Sequence, residues 1–123
     1  MLLPSVTEFS ISGASERYAE CAKAMGVASP AASTSEAGKQ LVAGLKELNN
    51  LLLVPTPKAH GIAREDWEKS VPTMVEQAIA SGSPANNPLI PSAEEIEELY
   101  LNLWSGETPS NKFFSYDNHH QSV

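Results

Sequence analysis

The sequence contains one cysteine and no long hydrophobic run, and each scarcity excludes a class of protein. Cys21 is the only cysteine, so the chain can form neither an internal disulfide nor a zinc site built from several cysteines. No stretch approaches the roughly 18 consecutive apolar residues that indicate a membrane-spanning helix. The opening Met1-Leu2-Leu3 is too short for the apolar part of a secretory signal peptide, and it has no basic leader. We therefore expect a cytoplasmic protein.

Positive charge is also scarce. The chain has 8 Lys and Arg residues against 15 Asp and Glu residues, which gives a formal net charge of −7. Such a surface opposes non-specific attraction to phosphate backbones and to anionic lipid headgroups. We expect neither nucleic acid nor a membrane among the partners of this chain.

The sequence also lacks the short motifs that usually carry chemistry. It has no glycine-rich phosphate loop, no nucleophile elbow and no pair of histidines one helical turn apart. His60 precedes Gly61 and is typical of a loop residue, whereas His119-His120 form at best a weak metal chelator. The motifs therefore predict no catalytic, cofactor-binding or metal-binding residue.

Hydrophobic periodicity predicts an all-α protein with about five helices. Apolar residues recur at three- and four-residue steps, and no strand-like alternation of four or more residues is present. Residues 1–104 are predicted to form one helical domain, and residues 105–123, which have no periodicity, a flexible tail. The helical segments are 1–9, 15–25, 33–50, 64–69, 70–81 and 92–104. The first of them is interpreted as the end of an element whose beginning is absent.

Several local signals define the ends of these helices. Ser33 with Glu36 and Ser92 with Glu95 are each spaced as a capping box, and Gly26 is placed to end the helix over 15–25. Within 64–81, Ser70 followed by Val71-Pro72 is typical of a helix start, which predicts a break there. Pro55 and Pro57 predict an extended segment over 54–61.

Two apolar faces follow from the helical spacing. One runs along the helix over 33–50, where Gly38 and Gly44 weaken the helix or let a neighbour approach closely. The other runs along the helix over 15–25 and includes Cys21. We therefore predict that Cys21 is a buried structural thiol rather than a nucleophile. The predicted faces contain Leu41, Val42, Leu45, Leu48 and Leu52 in the longer helix, and Tyr18, Cys21, Ala22 and Met25 in the shorter one.

The segment over 82–91, GSPANNPLIP, is predicted to be a loop held by turn chemistry. Asn86 and Asn87 precede Pro88, and two consecutive amides in that position can fix a sharp turn while presenting donors and acceptors to a cavity. A purely structural turn is the favoured interpretation of the residues alone.

Several segments follow one another in the order found near the C-terminus of iron-containing, group III alcohol dehydrogenases. LLPSVTEF resembles the family's L-P-x-V-x-x-F helix, and ERYAECAKAMG resembles the helix after it. Gly61-Ile62 with Glu65-Asp66 resembles the family's G-I/V-x-x-E-D turn, Asn87-Pro88 resembles the N-P of the active-site loop, and AEEIEELYLNLW resembles the final helix. The resemblance covers residues 1–104.

The resemblance implies the family's all-helical C-terminal domain, of the dehydroquinate synthase-like type. Intact members bind NAD(P) in a separate Rossmann-like domain, and one Asp and three His hold iron or another divalent metal for alcohol oxidation or aldehyde reduction. Those four ligands precede the L-P-x-V helix, so none is carried over to this sequence. We therefore expect a partial dehydrogenase, truncated before its metal ligands and inactive alone.

The resemblance also implies a position for the loop over 82–91, which approaches the metal and substrate pocket in intact members. The residues placed near that pocket are Ser83, Asn86 and Asn87. The chain departs from the family here, because members often carry an acidic residue and a Cys or Thr in this loop and an Arg after the N-P. This chain has Ser81, Ser83 and Leu89 instead.

A second hypothesis is a free-standing helical binding or self-assembly module without catalysis. Helices that pack against an upstream bundle in the whole enzyme would expose apolar surface in this chain, and such surface favours association. A homo-oligomer, most simply a dimer, is expected under both hypotheses.

Overall fold

A computed structural model describes residues 1–106, and these residues form five α-helices and no strand. The all-α prediction is therefore confirmed. The expected flexible tail, with His119-His120, falls almost wholly outside the described residues. The helices are α1 (Leu3–Ser10), α2 (Ser15–Ala24), α3 (Thr34–Leu51), α4 (Arg64–Ala80) and α5 (Ala93–Leu103), with 3-10 turns at Ile11–Gly13 and Pro84–Asn86.

The first three helices form one group around a core of small residues. α2 packs along α3, and α1 packs against α3 as well. Alanine side chains occupy much of the α2–α3 contact, so the two helix backbones can approach closely. The buried cluster consists of Ala19, Ala22, Ala28, Ala37, Leu41 and Leu45.

Two glycines of α3 permit further close contacts, as their positions in the sequence suggested. A Cβ atom at Gly44 would lie 2.8 Å from Cγ1 of Val27, which is closer than van der Waals contact allows. A Cβ atom at Gly38 would lie 3.4 Å from Cγ2 of Ile11, an ordinary contact. The segment after α2 therefore lies directly against α3 at Gly44.

The last two helices form a second group that is held by aromatic residues. Nε1 of Trp67 in α4 donates a hydrogen bond to the carbonyl oxygen of Tyr100 in α5 at 2.7 Å. The two rings meet edge to face with their centroids 6.5 Å apart. Val71 of α4 is buried as well. These contacts fix α4 along α5.

The predicted break before Pro72 is wrong, because α4 runs continuously from Arg64 to Ala80. The hydroxyl of Ser70 does not cap a helix; it donates to the carbonyl oxygen of Asp66 one turn earlier, at 2.9 Å. A proline inside a helix removes one hydrogen bond and strains the preceding turn. Trp67, which is bonded to Tyr100 of α5, and the buried Val71 both lie in the residues before Pro72 and hold this part of the helix against its neighbours.

The predicted extended segment over 54–61 is also wrong in its second half. Residues 57–61 form a turn, in which the amide of His60 donates to the carbonyl oxygen of Thr56 at 2.9 Å. Gly61 has a φ of +99°, a conformation that favours glycine. The turn is tied to the end of α5, since the Lys58 amide donates to the Trp104 carbonyl at 3.0 Å and Nε1 of Trp104 donates to the Ile62 carbonyl at 2.9 Å.

The predicted apolar stripe of α3 is buried only in its first part. Leu41, Val42 and Leu45 are buried, whereas Leu48 and Leu52 are 43% and 64% exposed. The reason is that α3 continues beyond the part of its surface that its neighbours cover. Four exposed residues at this end, here called the leucine cluster, are Leu48, Leu51, Leu52 and Leu53. Separately, no helix among residues 1–106 has the length and apolar character needed to cross a membrane.

The two glycines of α3 provide a matched test of the packing. Gly38→Ala should raise the free energy of unfolding by about 0.5 to 1 kcal/mol, because alanine favours the helix and its Cβ fits. Gly44→Ala gains the same propensity but displaces the stiff side chain of Val27, a cost of about 1 to 3 kcal/mol. Urea unfolding should therefore rank Gly44→Ala below Gly38→Ala. Equal stability of the two variants would contradict the close contact at Val27.

Candidate functional site

The loop over 82–91 crosses from α4 to α5 and contacts the junction of α1 and α2 on its way. Gly82 begins it with a φ of +77°, and the side-chain amide of Asn86 donates to the Gly82 carbonyl oxygen at 3.3 Å. The chain then makes the 3-10 turn Pro84–Asn86 and becomes extended at Asn87. The capping box of Ser92 and Glu95, confirmed with both hydrogen bonds present, starts α5 directly after the loop.

Asn87 connects the loop to the last residue of α1. Its side-chain nitrogen lies 2.9 Å from Oγ of Ser10 and 2.6 Å from the carbonyl oxygen of Leu89, so each of its two N–H groups has an acceptor. Oγ of Ser10 lies 2.6 Å from the carbonyl oxygen of Val6 and 3.1 Å from Oδ1 of Asn87. The hydroxyl has one proton, and we assign it to the shorter contact with Val6. Ser10 therefore accepts from Asn87 and donates to its own helix.

A second contact between the loop and the α1–α2 junction lies at Gly13, three residues after Ser10. A Cβ atom at Gly13 would lie 2.6 Å from the carbonyl oxygen of Pro88, a distance that no real side chain could occupy. Position 13 therefore has to be glycine for the loop backbone to reach the α1–α2 junction in this way. Asn87 and Pro88, which are adjacent, are thus fixed at two separate points.

The loop forms part of the wall of two surface grooves. The first, here called the α2 groove, has a volume of about 720 Å³ and is lined by residues 13–18 and Cys21, with Asn86 and Pro88 opposite them. The second, here called the α1–α3 groove, has about 710 Å³ and includes Leu89 in its lining. Asn86 and Pro88, on either side of Asn87, therefore both line the α2 groove, whereas Leu89 lines the α1–α3 groove.

The three residues that the resemblance places near a substrate pocket have different surroundings. Asn86 is exposed and lines the α2 groove. Asn87 is half-buried, and both of its N–H groups are used within the protein. Ser83 is exposed, and its backbone amide donates to Oγ of Ser81 at 3.2 Å. Their role beside a substrate stays a prediction.

Cys21 corrects a prediction, because it is exposed rather than buried. The alanines at positions 19 and 22 face α3 instead, since their small side chains allow the close approach of the two helices. This orientation also leaves Met25, expected on the buried face, 53% exposed. The thiol consequently lies on the wall of the α2 groove.

Ser10 and Gly13 were not identified from the sequence as residues of the site. A serine at the end of an apolar helix and a glycine before the next helix are common, and neither indicates a partner more than 70 residues away. One sequence signal could have suggested a buried polar contact: Ser10 is polar but lies four residues, about one helical turn, after the apolar Val6.

The described residues do not fit the metal or the dinucleotide that the resemblance implies for intact members. Within residues 1–106, no group of three His, Cys, Asp or Glu side chains is placed to hold a metal ion. His60, the histidine of this range, is exposed on the turn over 57–61. This part of the chain also has no strand from which a Rossmann-type nucleotide site could be built.

The exposed position of Cys21 can be tested by its reaction with an aromatic disulfide reagent. We expect the folded chain to react as fast as the chain in denaturant, because no opening of the structure is required. The matched control is the Cys21→Ala/Ala22→Cys double variant, whose thiol occupies a buried neighbouring position and should react only through unfolding. Slow native labelling of Cys21 would contradict its place on the groove wall.

Comparison with known proteins gives a consistent result. The family described as "Fe-containing alcohol dehydrogenase family, C-terminal" matches residues 1–104. The NADPH-dependent butanol dehydrogenase of Clostridium saccharobutylicum and the lactaldehyde reductase of Escherichia coli K12 are each 29% identical over 105 residues, or 85% of this chain and 26% of theirs. An alcohol dehydrogenase of Thermococcus barophilus is 31% identical over 102 residues, or 81% of this chain and 25% of its own.

The chain thus spans about a quarter of the length of these relatives. No solved structure shows a significant match to it. The matched range 1–104 contains all five described helices, the loop over 82–91 and both contacts of that loop with the α1–α2 junction. The chain belongs to the iron-containing alcohol dehydrogenase family, and residues 1–104 correspond to its C-terminal domain.

Proposed function

We propose that this chain supplies part of the helical domain of an enzyme that oxidises alcohols or reduces aldehydes with NAD(P) and a divalent metal. Alone, it is catalytically incomplete and acts in the cytoplasm together with polypeptide that carries the nucleotide and metal sites. The observation that carries this proposal is the family match over residues 1–104. Relatives named as a butanol dehydrogenase and a lactaldehyde reductase support the reaction class.

Within this function, the loop over 82–91 contributes one side of the substrate pocket through Ser83, Asn86 and Asn87. Asn86 is the best placed of the three to contact a substrate. It is exposed, and its side-chain nitrogen makes one long hydrogen bond of 3.3 Å, which leaves a second N–H for another acceptor. Asn87 has a supporting role, since both of its N–H groups are already bonded.

A chimeric enzyme tests this proposal. Residues 1–104 would replace the matching region of the Clostridium saccharobutylicum butanol dehydrogenase, and NADPH-dependent activity would be measured. We expect the chimera to be active, because the helical scaffold and its loop would be retained. In that chimera, Asn86→Ala should lower kcat/KM roughly tenfold or less, as expected for the loss of one polar contact.

Asn50→Ala is the matched control for this experiment, because Asn50 is exposed on α3 far along the sequence from the loop. It should leave kcat/KM unchanged. A chimera that folds and binds NADPH but has no activity would contradict the proposed function. Equal kcat/KM for the two asparagine variants would contradict the role given to Asn86.

A second candidate function, self-assembly through the leucine cluster without catalysis, is favoured by one observation. Leu51 and Leu53 are 77% and 86% exposed, and Leu53 has a φ of +56°, which is uncommon for a residue with a side chain. Adjacent exposed leucines are typical of a surface that is covered by a partner. The partner proposed is a second copy of the chain, because the net charge of −7 disfavours nucleic acid and anionic membranes.

Sedimentation of the full chain tests whether the leucine cluster, rather than the polar surface of α3, forms a dimer interface. Leu51→Lys should shift a dimer to monomer, because it places a charge within the leucine cluster. Gln40→Lys adds the same charge at an exposed polar position of the same helix and should leave the dimer intact. If both variants and the unmodified chain sediment as monomers at the highest concentration tested, self-assembly is excluded.

A further inference from the structure

Ser10 is a polar residue in a position where polar side chains are uncommon. It is 0% exposed, and it lies at the end of α1, where this helix meets the loop over 82–91. A buried hydroxyl destabilises a protein unless its hydrogen bonds are satisfied. The donor of Ser10 is satisfied within α1 by Val6, and its acceptor capacity is used by Asn87. The hydroxyl therefore links a helix to a loop 77 residues away in the sequence.

The two hydrogen bonds donated by Asn87 differ in reach, because only the bond to Ser10 leaves the loop. The other N–H of Asn87 is used by the carbonyl oxygen of Leu89, two residues further along the same loop. That second bond shapes the loop itself but does not attach it to the helices. Loss of the Ser10 hydroxyl would leave a half-buried N–H of Asn87 without its acceptor.

Gly13 adds a steric contact to this polar one. Its missing side chain lets the carbonyl of Pro88 approach the α1–α2 junction, so Asn87 and Pro88 are both held against the same short stretch of backbone. Two contacts to adjacent residues restrict both the position and the direction of the loop. Asn86 is the residue directly before them and is thereby held at the wall of the α2 groove.

We infer that Ser10 is a positioning residue: through Asn87 it fixes the place of Asn86 on the α2 groove. Ser10 is fully buried. The inference rests on the proposed function in one respect only, which is that the α2 groove faces the substrate. The link between Ser10, Asn87 and the loop can be tested on the full chain in the absence of any substrate.

The test is hydrogen exchange of the full 15N-labelled chain, followed by NMR at the side-chain amide of Asn87. In the unmodified chain both protons are bonded and should exchange slowly. Ser10→Ala should accelerate the exchange of one of them roughly 3- to 10-fold, as expected for the loss of one hydrogen bond. The backbone amides of Asn86 and Asn87, bonded within the loop, should lose protection in parallel.

Controls separate positioning from general stability. Ser12→Ala removes an exposed hydroxyl from the same turn and should change no exchange rate in the loop. Ser10→Thr retains the hydroxyl and should restore protection of the Asn87 side chain. Amides in the buried part of α3, such as that of Leu41, should exchange at the unmodified rate in every variant, which a general loss of stability would not allow.

Should Ser10→Ala fail to fold, Asn87→Ala provides the same test from the loop side, because it leaves α1 intact. It should lower protection of the Asn86 amide while the α3 amides keep theirs. The inference is overturned if Asn87 exchanges at the same rate in Ser10→Ala and Ser12→Ala, or if protection falls uniformly along the chain. An inactive butanol dehydrogenase chimera would overturn the proposed function and leave these exchange results unaffected.

Discussion

The hydrogen bond between Ser10 and Asn87 links the loop between α4 and α5 to the group formed by α1, α2 and α3. The first group, α1 to α3, packs through alanine and glycine, whereas α4 and α5 pack through the rings of Trp67 and Tyr100. Among the helices described, α1 contacts α5 directly across the two groups. The loop over 82–91 adds a polar contact at Ser10 and a backbone contact at Gly13. The relative placement of the two groups, and of both grooves beside the loop, depends on this connection.

The residues of the loop differ in role because of this connection. Both N–H groups of Asn87 are bonded within the protein, its two neighbours line the α2 groove, and Leu89 lines the α1–α3 groove. Asn86 keeps hydrogen-bonding capacity on the α2 groove, whereas Leu89 presents an apolar side chain to the α1–α3 groove. A loop that is fixed at its centre and open on both sides suits a scaffold that positions a few polar groups without itself carrying a reactive one.

Local signals predicted most of the fold, and tertiary contacts explain where they failed. The spacing of Ser92 and Glu95 and the periodicity of α5 depend only on neighbouring residues, so the sequence was sufficient there. Pro72 lies within a helix because contacts from another helix hold the turn around it. Cys21 is exposed because alanines, not the larger residues, occupy the closest helix contact. The bond from Ser10 to Asn87 joins residues 77 positions apart, and no single sequence pattern encodes it.

Family membership relates this chain to the C-terminal domain of iron-containing alcohol dehydrogenases, and its described residues explain a scaffold and a loop rather than a reaction. Our central claim, a proposal, is that cofactor and metal are held by other parts of such an enzyme. Calorimetric titration of the purified full chain with NADPH, and then anaerobically with ferrous iron, tests this claim most directly. We expect no saturable binding of either at one equivalent per chain. Stoichiometric binding of NADPH or of iron to the chain alone would contradict it.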